Sequence, residues 1–207
     1  MSTDHYFSAQ PASDDDVRQL RVRLAGQDAE VVTAAGIFSP DGIDKGTRVL
    51  LDHAPAPPSS GTFLDLGCGW GPLALTLARE APEASVHAVD VNERALDLAR
   101  RNAAALGCRG IRVDRPQDVD PATRFDLIWS NPPIRVGKQA LHELLLTWLP
   151  RLAEHDAAAA YLVVQKNLGA DSLQTWLEAS LPPAVGPVRV DREASSKGFR
   201  VLRVARG

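Results

Sequence analysis

The residues best suited to chemistry are Asn131-Pro132-Pro133-Ile134, which follow the apolar run Phe125-Asp126-Leu127-Ile128-Trp129-Ser130. Two consecutive prolines fix two φ angles and remove two backbone donors. Each also pushes the preceding residue toward an extended conformation. Asn131 is therefore expected at a strand end, among carbonyl oxygens that no local N–H satisfies. Such a rigid, acceptor-rich corner suits a planar exocyclic amine, whose lone pair is delocalised and poorly nucleophilic. The Asn131 side-chain oxygen and the Pro132 carbonyl can each accept one N–H, which turns the lone pair outward. Catalysis there is positioning and electrostatics, with no strong general base. Ile134 offers an apolar face to a base, with less stacking energy than an aromatic ring. The competing reading is a plain strand-ending turn.

A second constellation lies upstream. In Asp65-Leu66-Gly67-Cys68-Gly69-Trp70-Gly71 the glycines let the backbone turn tightly and approach a ligand closely. The third glycine follows the second by two positions, which differs from the dinucleotide fingerprint Gly-x-Gly-x-x-Gly. A further acid, Asp90, closes the segment Val86-His87-Ala88-Val89. A carboxylate at a second strand's end can accept both hydroxyls of a ribose. The alternatives are a structural turn for the loop and helix capping for Asp90.

These residues need strand ends to hold them, and the pattern supplies them. Residues 18–35 read as a β-hairpin, with Leu20, Val22 and Leu24 alternating with Arg21 and Arg23, and a turn at Gly26-Gln27-Asp28. Asp44 is placed to cap a short helix through Val49, Leu50 and Leu51. A linker rich in proline, from Pro55 to Gly61, follows. Strands are expected at 62–66, 86–89, 111–113, 125–129 and 159–164. Helices are expected at 72–79, 93–106, 139–152 and 172–181. A final antiparallel pair is expected at 185–190 and 199–204. Alternating strands and helices imply a parallel sheet with right-handed crossovers.

The glycine loop with Asp90 resembles the class I S-adenosylmethionine-dependent methyltransferases. The corner resembles the (Asn/Asp)-Pro-Pro-x motif of members that act on planar nitrogen. Further segments occur in the order of the "methyltransferase small" family: His5-Tyr6-Phe7-Ser8, Gly36-Ile37-Phe38-Ser39, Ile43–Thr47, Arg135-x-Gly137-Lys138 after the corner, and the closing Lys197-Gly198-Phe199-Arg200-Val201-Leu202. That family includes small-subunit ribosomal RNA guanine-N2 methyltransferases. The resemblance runs from residue 5 to 205 and matches the catalytic copy of longer members, whose N-terminal duplicate recruits RNA. It implies a single methyltransferase domain over 1–207, with a hairpin and helix extension at 1–60 and the core at 61–207. The fold implied is an α/β, Rossmann-like, seven-stranded class I sheet with a small N-terminal hairpin.

By the same resemblance the cofactor is S-adenosyl-L-methionine and the product S-adenosyl-L-homocysteine. Asp65, Gly67, Cys68 and Gly69 face its amino-acid part. Asp90 takes the ribose, and Val91 and Asn92 lie near the adenine. Asp114 is the first candidate for the adenine amino group and Asp118 the second. Phe38, Gly46 and Thr47 lie over the cofactor pocket, which Asn131 also borders. Asn131, Pro132, Pro133 and Ile134 are the catalytic set. Arg135 and Lys138 follow it and suit substrate phosphates, and with Lys166, Lys197 and Arg200 they form a basic rim. The acceptor implied is a guanine N2 amine of ribosomal RNA, free or in the small subunit. A glutamine amide, an adenine amine or a small-molecule amine are other acceptors of such corners. A non-catalytic cofactor- or RNA-binding module in ribosome assembly is a reading from a different class.

Bulk properties narrow this little. The chain has 207 residues, 44% apolar and 24% charged, and a formal net charge of −3. These are the values of a globular α/β protein, and they disfavour non-specific coating of nucleic acid. The N-terminus has no basic region before an apolar core, so neither a signal peptide nor a membrane span is expected. The two cysteines, Cys68 and Cys108, make no disulfide framework, and a cytoplasmic location is expected. The five histidines show no ligand spacing, so no metal is expected.

Overall fold

In the computed structural model the described residues are 17–207, so the His5-Tyr6-Phe7-Ser8 segment lies outside them. The hairpin pairs β1 (Val17–Leu24) with β2 (Gln27–Ala34), Leu24 standing opposite Gln27. Its turn is Ala25-Gly26, with φ of 49° and 73°, not Gly26-Gln27-Asp28. Two left-handed residues make the turn whose twist matches the flanking strands, and pairing therefore continues through Gln27.

The remaining elements alternate as the pattern requires: α1 (Lys45–His53), β3 (Thr62–Leu66), α2 (Pro72–Glu80), β4 (Ser85–Val89), α3 (Glu93–Ala105), β5 (Ile111–Asp114), β6 (Leu127–Ser130), α4 (Lys138–Trp148), β7 (Ala159–Gln165), α5 (Ala170–Ser180), α6 (Pro182–Val185), β8 (Val188–Ser196) and β9 (Phe199–Arg206). The large sheet has seven strands in the order β5-β4-β3-β6-β7-β9-β8. This is the expected seven-stranded fold with its hairpin extension. No helix among the described residues is long and apolar enough to cross a membrane.

The chain divides into two compact units, one running up to Asp44 and resuming at Pro57–Pro121, the other made of Lys45–Ala56 and Ala122–Gly207. In the first, β3, β4 and β5 are parallel, and Leu66 pairs with Val89 and Val89 with Asp114. The strand ends that carry Asp65, Asp90 and Asp114 thus stand side by side. Its hairpin buries Leu24, Ala29 and Val31 in one cluster with Trp70, Leu75 and Leu98. In the second, β6 and β7 are parallel, while β9 runs antiparallel to both β7 and β8.

Two elements differ most from the sequence reading. Helix α4 stops at Trp148, and Leu149–Arg151 continues as a tighter 3₁₀ turn around Pro150, because proline cannot donate to the α-helical ladder. Strand β8 starts at Val188, after the short helix α6, which ends at Val185, and runs to Ser196. Only Val190 of β8 is buried, and a bulge separates Arg192 from Ala194. A charged, bulged strand at the sheet edge lacks the apolar alternation by which strands are read.

Candidate active site

The glycine loop joins β3 to α2 and needs its glycines for backbone reasons. Gly67 and Gly69 have φ of 77° and 56°, and a Cβ on either would meet nothing within 4 Å. Conformation, not crowding, selects glycine there, and the space over them is open. The loop is tied to the neighbouring strand, since the Gly67 and Cys68 N–H groups both donate to the Val89 carbonyl at 2.8 and 3.0 Å.

Asp65 is fully buried. Its Oδ2 accepts from the Ala74 N–H at 2.9 Å, in the first turn of α2. Its Oδ1 is buried without a hydrogen-bond partner. Burial pushes the Asp65 carboxyl up to about 7, against the lowering effect of the Ala74 hydrogen bond, and the Asp90 charge adds to the rise. A carboxyl whose ionisation is balanced near pH 7 and which has one oxygen unspent is poised to ionise against a cationic donor. Cys68, expected to border the cofactor, is buried, and burial with the charges of Asp90 and Asp65 pushes its thiol well up. It is a neutral thiol, so what it offers a ligand is backbone.

Asp90 directly follows β4. Its Oδ2 accepts from the Gly69 N–H and its Oδ1 from the Asn92 N–H, both at 2.9 Å. Burial raises its pKa, while the backbone hydrogen bonds from Asn92, Gly69 and Val91 lower it. Each oxygen retains acceptor capacity, so the carboxylate is aimed by the backbone and still open to hydroxyls. The helix cap is not Asp90 but Asn92, whose Oδ1 accepts from the Arg94 and Ala95 N–H groups at 3.0 and 3.3 Å. The Asn92 Nδ2 donates to the Gly36 carbonyl at 3.3 Å. Buried and engaged at both ends, the Asn92 side chain ties the start of α3 to the segment after β2. Val91 is its opposite, an apolar side chain 59% exposed.

The segment after β2 is fastened to the same place. Besides Asn92 on Gly36, Arg94 donates to the Ala35 carbonyl at 2.9 Å. This presents Phe38, 43% exposed, on the same unit as Asp90, while Ile37 is buried. Asp114 ends β5, and its Oδ2 lies 3.5 Å from His87 Nδ1. Asp118 sits exposed in the following 3₁₀ turn. In register, Asp114 stands beside Val89 at the end of β4.

One residue of this unit escaped the sequence reading. Asn102 of α3 is fully buried. Its Oδ1 accepts from the Val32 N–H at 2.7 Å, and its Nδ2 donates to the Val32 and Trp70 carbonyls at 2.9 and 3.0 Å. One amide thus pairs with a hairpin strand as another strand would, and also holds the glycine loop at Trp70. An asparagine on a helix with alanine neighbours gives no local signal of this.

In the second unit Asn131 directly follows β6, as expected. Its Nδ2 donates to the Thr47 Oγ1 of α1 at 3.0 Å. Thr47 was expected over the cofactor; it is buried, and so is its neighbour Gly46. The expectation that no local N–H satisfies the corner's carbonyls fails. The Ile134 N–H donates to the Pro132 carbonyl at 2.8 Å, and the Val136 N–H to the Pro133 carbonyl at 3.1 Å. Pro133, with φ −76° and ψ 73°, makes an inverse γ-turn. The Pro132 oxygen keeps a second lone pair, so the corner is a pre-paired acceptor. Ile134 is half-buried.

Of the basic candidates, Arg135 falls in the 3₁₀ turn Ile134–Val136 directly after the corner, and Lys138 and Lys166 are exposed. Lys197, at the tip between β8 and β9, is 3.8 Å from Asp52, and both side chains are largely exposed. Arg200 departs from the expected rim: its guanidinium is mostly buried and paired with Asp171, which Arg192 also engages. A β9 side chain alternates faces in a way the sequence reading did not follow. Among the described residues no group of three His, Cys, Asp or Glu is placed to hold a metal.

Comparisons with known proteins identify the family. The family model for the methyltransferase small domain matches residues 28–203. The uncharacterized protein YbxB of Bacillus subtilis is 35% identical over 85% of this chain and 88% of its own length. Ribosomal RNA small subunit methyltransferase C of Pseudomonas entomophila is 32% identical over 100% of this chain, and that of Stutzerimonas stutzeri is 34% identical over 96%. The chain spans about three-fifths of the length of these two, 60% and 58%. Among solved structures, the T. thermophilus 16S rRNA N2 methyltransferase RsmC, solved in complex with AdoMet and guanosine, superposes with a TM-score of 0.73 at 22% identity, over 95% of this chain and 52% of that one. That likeness is one of fold. Family model and fold coincide over nearly all of the described residues, and the chain belongs to the methyltransferase small domain family of class I S-adenosylmethionine-dependent methyltransferases.

Proposed function

We propose that the chain transfers a methyl group from S-adenosyl-L-methionine to the exocyclic N2 amine of a guanine in small-subunit ribosomal RNA, its two units working as a single domain. The observation that carries the reading is the corner at Asn131, where an amide anchored through its nitrogen stands beside the Pro132 carbonyl. The relatives named methyltransferase C, and the guanosine in the T. thermophilus structure, support guanine in preference to adenine or a glutamine amide.

The residues of the first unit fit the cofactor. Open space over Gly67 and Gly69, and the orphaned Oδ1 of Asp65, suit a backbone-hugging amino-acid moiety with an ammonium group. The preset Asp90 carboxylate suits two vicinal hydroxyls. Exposed Val91 and Phe38 suit the faces of an adenine, and Asp114 its amino group. When bound, S-adenosylmethionine supplies an electrophilic methyl that leaves sulfur with the bonding pair staying on sulfur, joins the amine nitrogen, and lets that nitrogen lose its proton to water.

The chain's own part is orientation. The Asn131 Oδ1 and the Pro132 carbonyl each accept one amine N–H, so the nitrogen lone pair is turned away from the protein acceptors and left free for a methyl donor. Pre-set acceptors cost no reorganisation during the reaction. Ile134 packs on the base, and a base within RNA structure is flipped out first. Arg135, Lys138 and Lys197 take phosphates, while Arg200 braces β9. Such an enzyme works where ribosomes are made, in the cytoplasm. The test is Asn131→Ala: S-adenosylmethionine binding by calorimetry is expected within about 3-fold of wild type, with methyl transfer down at least about 100-fold. Transfer that survives the substitution refutes the amine clamp.

A further inference from the structure

We infer that the solvent face of α1 and the tip between β8 and β9 form a track for the RNA backbone beside the corner, made by Lys45, Arg48, Lys197 and Lys166. The inference rests on the RNA reading above and adds a surface to it, since the sequence reading gave no role to Lys45 or Arg48. The starting observation is how the second unit disposes of its charges. Arg189 and Arg203 pair with Asp191, Arg192 and Arg200 with Asp171, and Arg206 with Glu154. Lys45, Arg48 and Lys166, by contrast, make no ion pair with a described residue. Cations left unneutralised hold their charge for an outside anion.

The fold gathers them. Lys45, Arg48 and Asp52 stand three and four residues apart, on the face of α1 opposite the buried Gly46, Thr47, Val49 and Leu50. From Lys45 to Asp52 that face is about 10 Å long, more than the spacing of successive phosphates along a duplex strand. Helix α1 meets the corner at Thr47, whose hydroxyl lies 3.0 Å from the Asn131 amide nitrogen, and it packs on β7, β9 and β8. At its other end Asp52 lies 3.8 Å from Lys197. Lys197-Gly198 is a two-residue turn with φ of 49° and 83°, the left-handed kind whose twist matches its strands and fixes where the tip points. The Lys166 N–H donates to the Gly198 carbonyl at 2.9 Å, which sets Lys166 beside that tip.

Asp52 is the one acid of α1 and sits between the two halves of the track. An exposed ion pair of this kind is weak, so a phosphate displaces Asp52 from Lys197 at little cost. RNA fits this surface better than an acidic protein does. The cations form a line that ends at a corner suited to a base amine, and phosphates recur along a strand as these cations do.

The test measures binding of free small-subunit ribosomal RNA by filter retention at several salt concentrations. Lys45→Gln, Arg48→Gln, Lys166→Gln and Lys197→Gln are each expected to weaken binding about 3- to 10-fold and to lower the slope of log affinity against log salt by about 0.7. Combined, they are expected to lower that slope by about 2 to 3. Arg48→Lys keeps the charge and is expected to keep the slope. Asp52→Asn is expected to bind about 2- to 5-fold more tightly. The control is Arg189→Gln, the same change of charge at the far end of β8 from the tip, about 20 Å from Ser196. It is expected to leave affinity and slope unchanged. Thermal melting shows which variants are folded, and alanine replaces glutamine at any position where the first variant is not.

An unchanged slope in the combined variant overturns the track. So does an equal loss of slope in Arg189→Gln, which would be an effect of net charge alone. Unchanged or weaker binding by Asp52→Asn overturns the place given to Asp52. The RNA reading is judged separately. If the wild-type chain neither binds nor methylates RNA, that reading falls and the track with it; if it methylates RNA and the combined variant binds RNA as tightly as wild type, only the track falls.

Discussion

Asp65→Asn is expected to flatten the pH dependence of folding. The Asp65 carboxyl is buried, and burial raises it from 3.8 to about 7. Below pH 4 it is protonated in both folded and unfolded chains and contributes no pH dependence. Between pH 4 and 7 the unfolded chain is ionised while the folded chain is neutral, so folding takes up a proton. Stability then falls as pH rises, by about 1.4 kcal/mol per pH unit. Across that window the loss attributable to Asp65 is about 4 kcal/mol, and it levels off above pH 7. The assay is urea unfolding of the ligand-free chain from pH 4 to pH 8, wild type beside Asp65→Asn. The difference between the two curves removes the carboxylates that do not interact with Asp65, and what is left belongs to Asp65 together with its coupling to Asp90. The asparagine variant is expected to gain on wild type by about 4 kcal/mol between the ends of the range. A saturating cofactor, whose ammonium would hold Asp65 ionised, is expected to shrink that difference. Parallel curves would refute the argument that the buried charge is costly.

Two further substitutions probe the same unit. Asp90→Ala is expected to weaken S-adenosylmethionine binding at least about 100-fold by calorimetry, since hydrogen bonds to a charged acceptor are worth about 1.5–3 kcal/mol each; unchanged affinity would remove the ribose assignment. Asn102→Ala strands three backbone groups, of Val32 and Trp70, and is expected to cost about 3 kcal/mol in urea unfolding. A loss under about 0.5 kcal/mol would mean that the hairpin and glycine loop are held by other contacts.

What could be read from the sequence was local. Gly67 and Gly69 announced a loop with left-handed backbone, and Asn131-Pro132-Pro133 announced a strand end. The strand–helix alternation from Thr62 to Ser180 followed from hydrophobic period alone. What could not be read depends on partners distant in the chain. Asn102 meets Val32 across 70 residues, and Thr47 meets Asn131 across 84. Asn92 caps α3 through contacts two and three residues on, but its bond to Gly36 spans 56 residues and left no local trace. Arg200 looked like a free cation until Asp171 came beside it. The Pro132 carbonyl was judged from the missing proline donors, but the donor comes from Ile134, one residue past the second proline. Strand β8 was misread for a different reason, since an edge strand carries too few buried residues to show a period.

The central claim is tested most directly by offering methyl-labelled S-adenosylmethionine to the chain with free ribosomal RNA, small subunits, whole ribosomes and a protein extract, followed by nucleoside separation. Label is expected in small-subunit ribosomal RNA as N2-methylguanosine, and absent when Asn131→Ala replaces the wild-type chain. Label confined to protein or small molecules, or recovered as methyladenosine, would contradict the proposed acceptor.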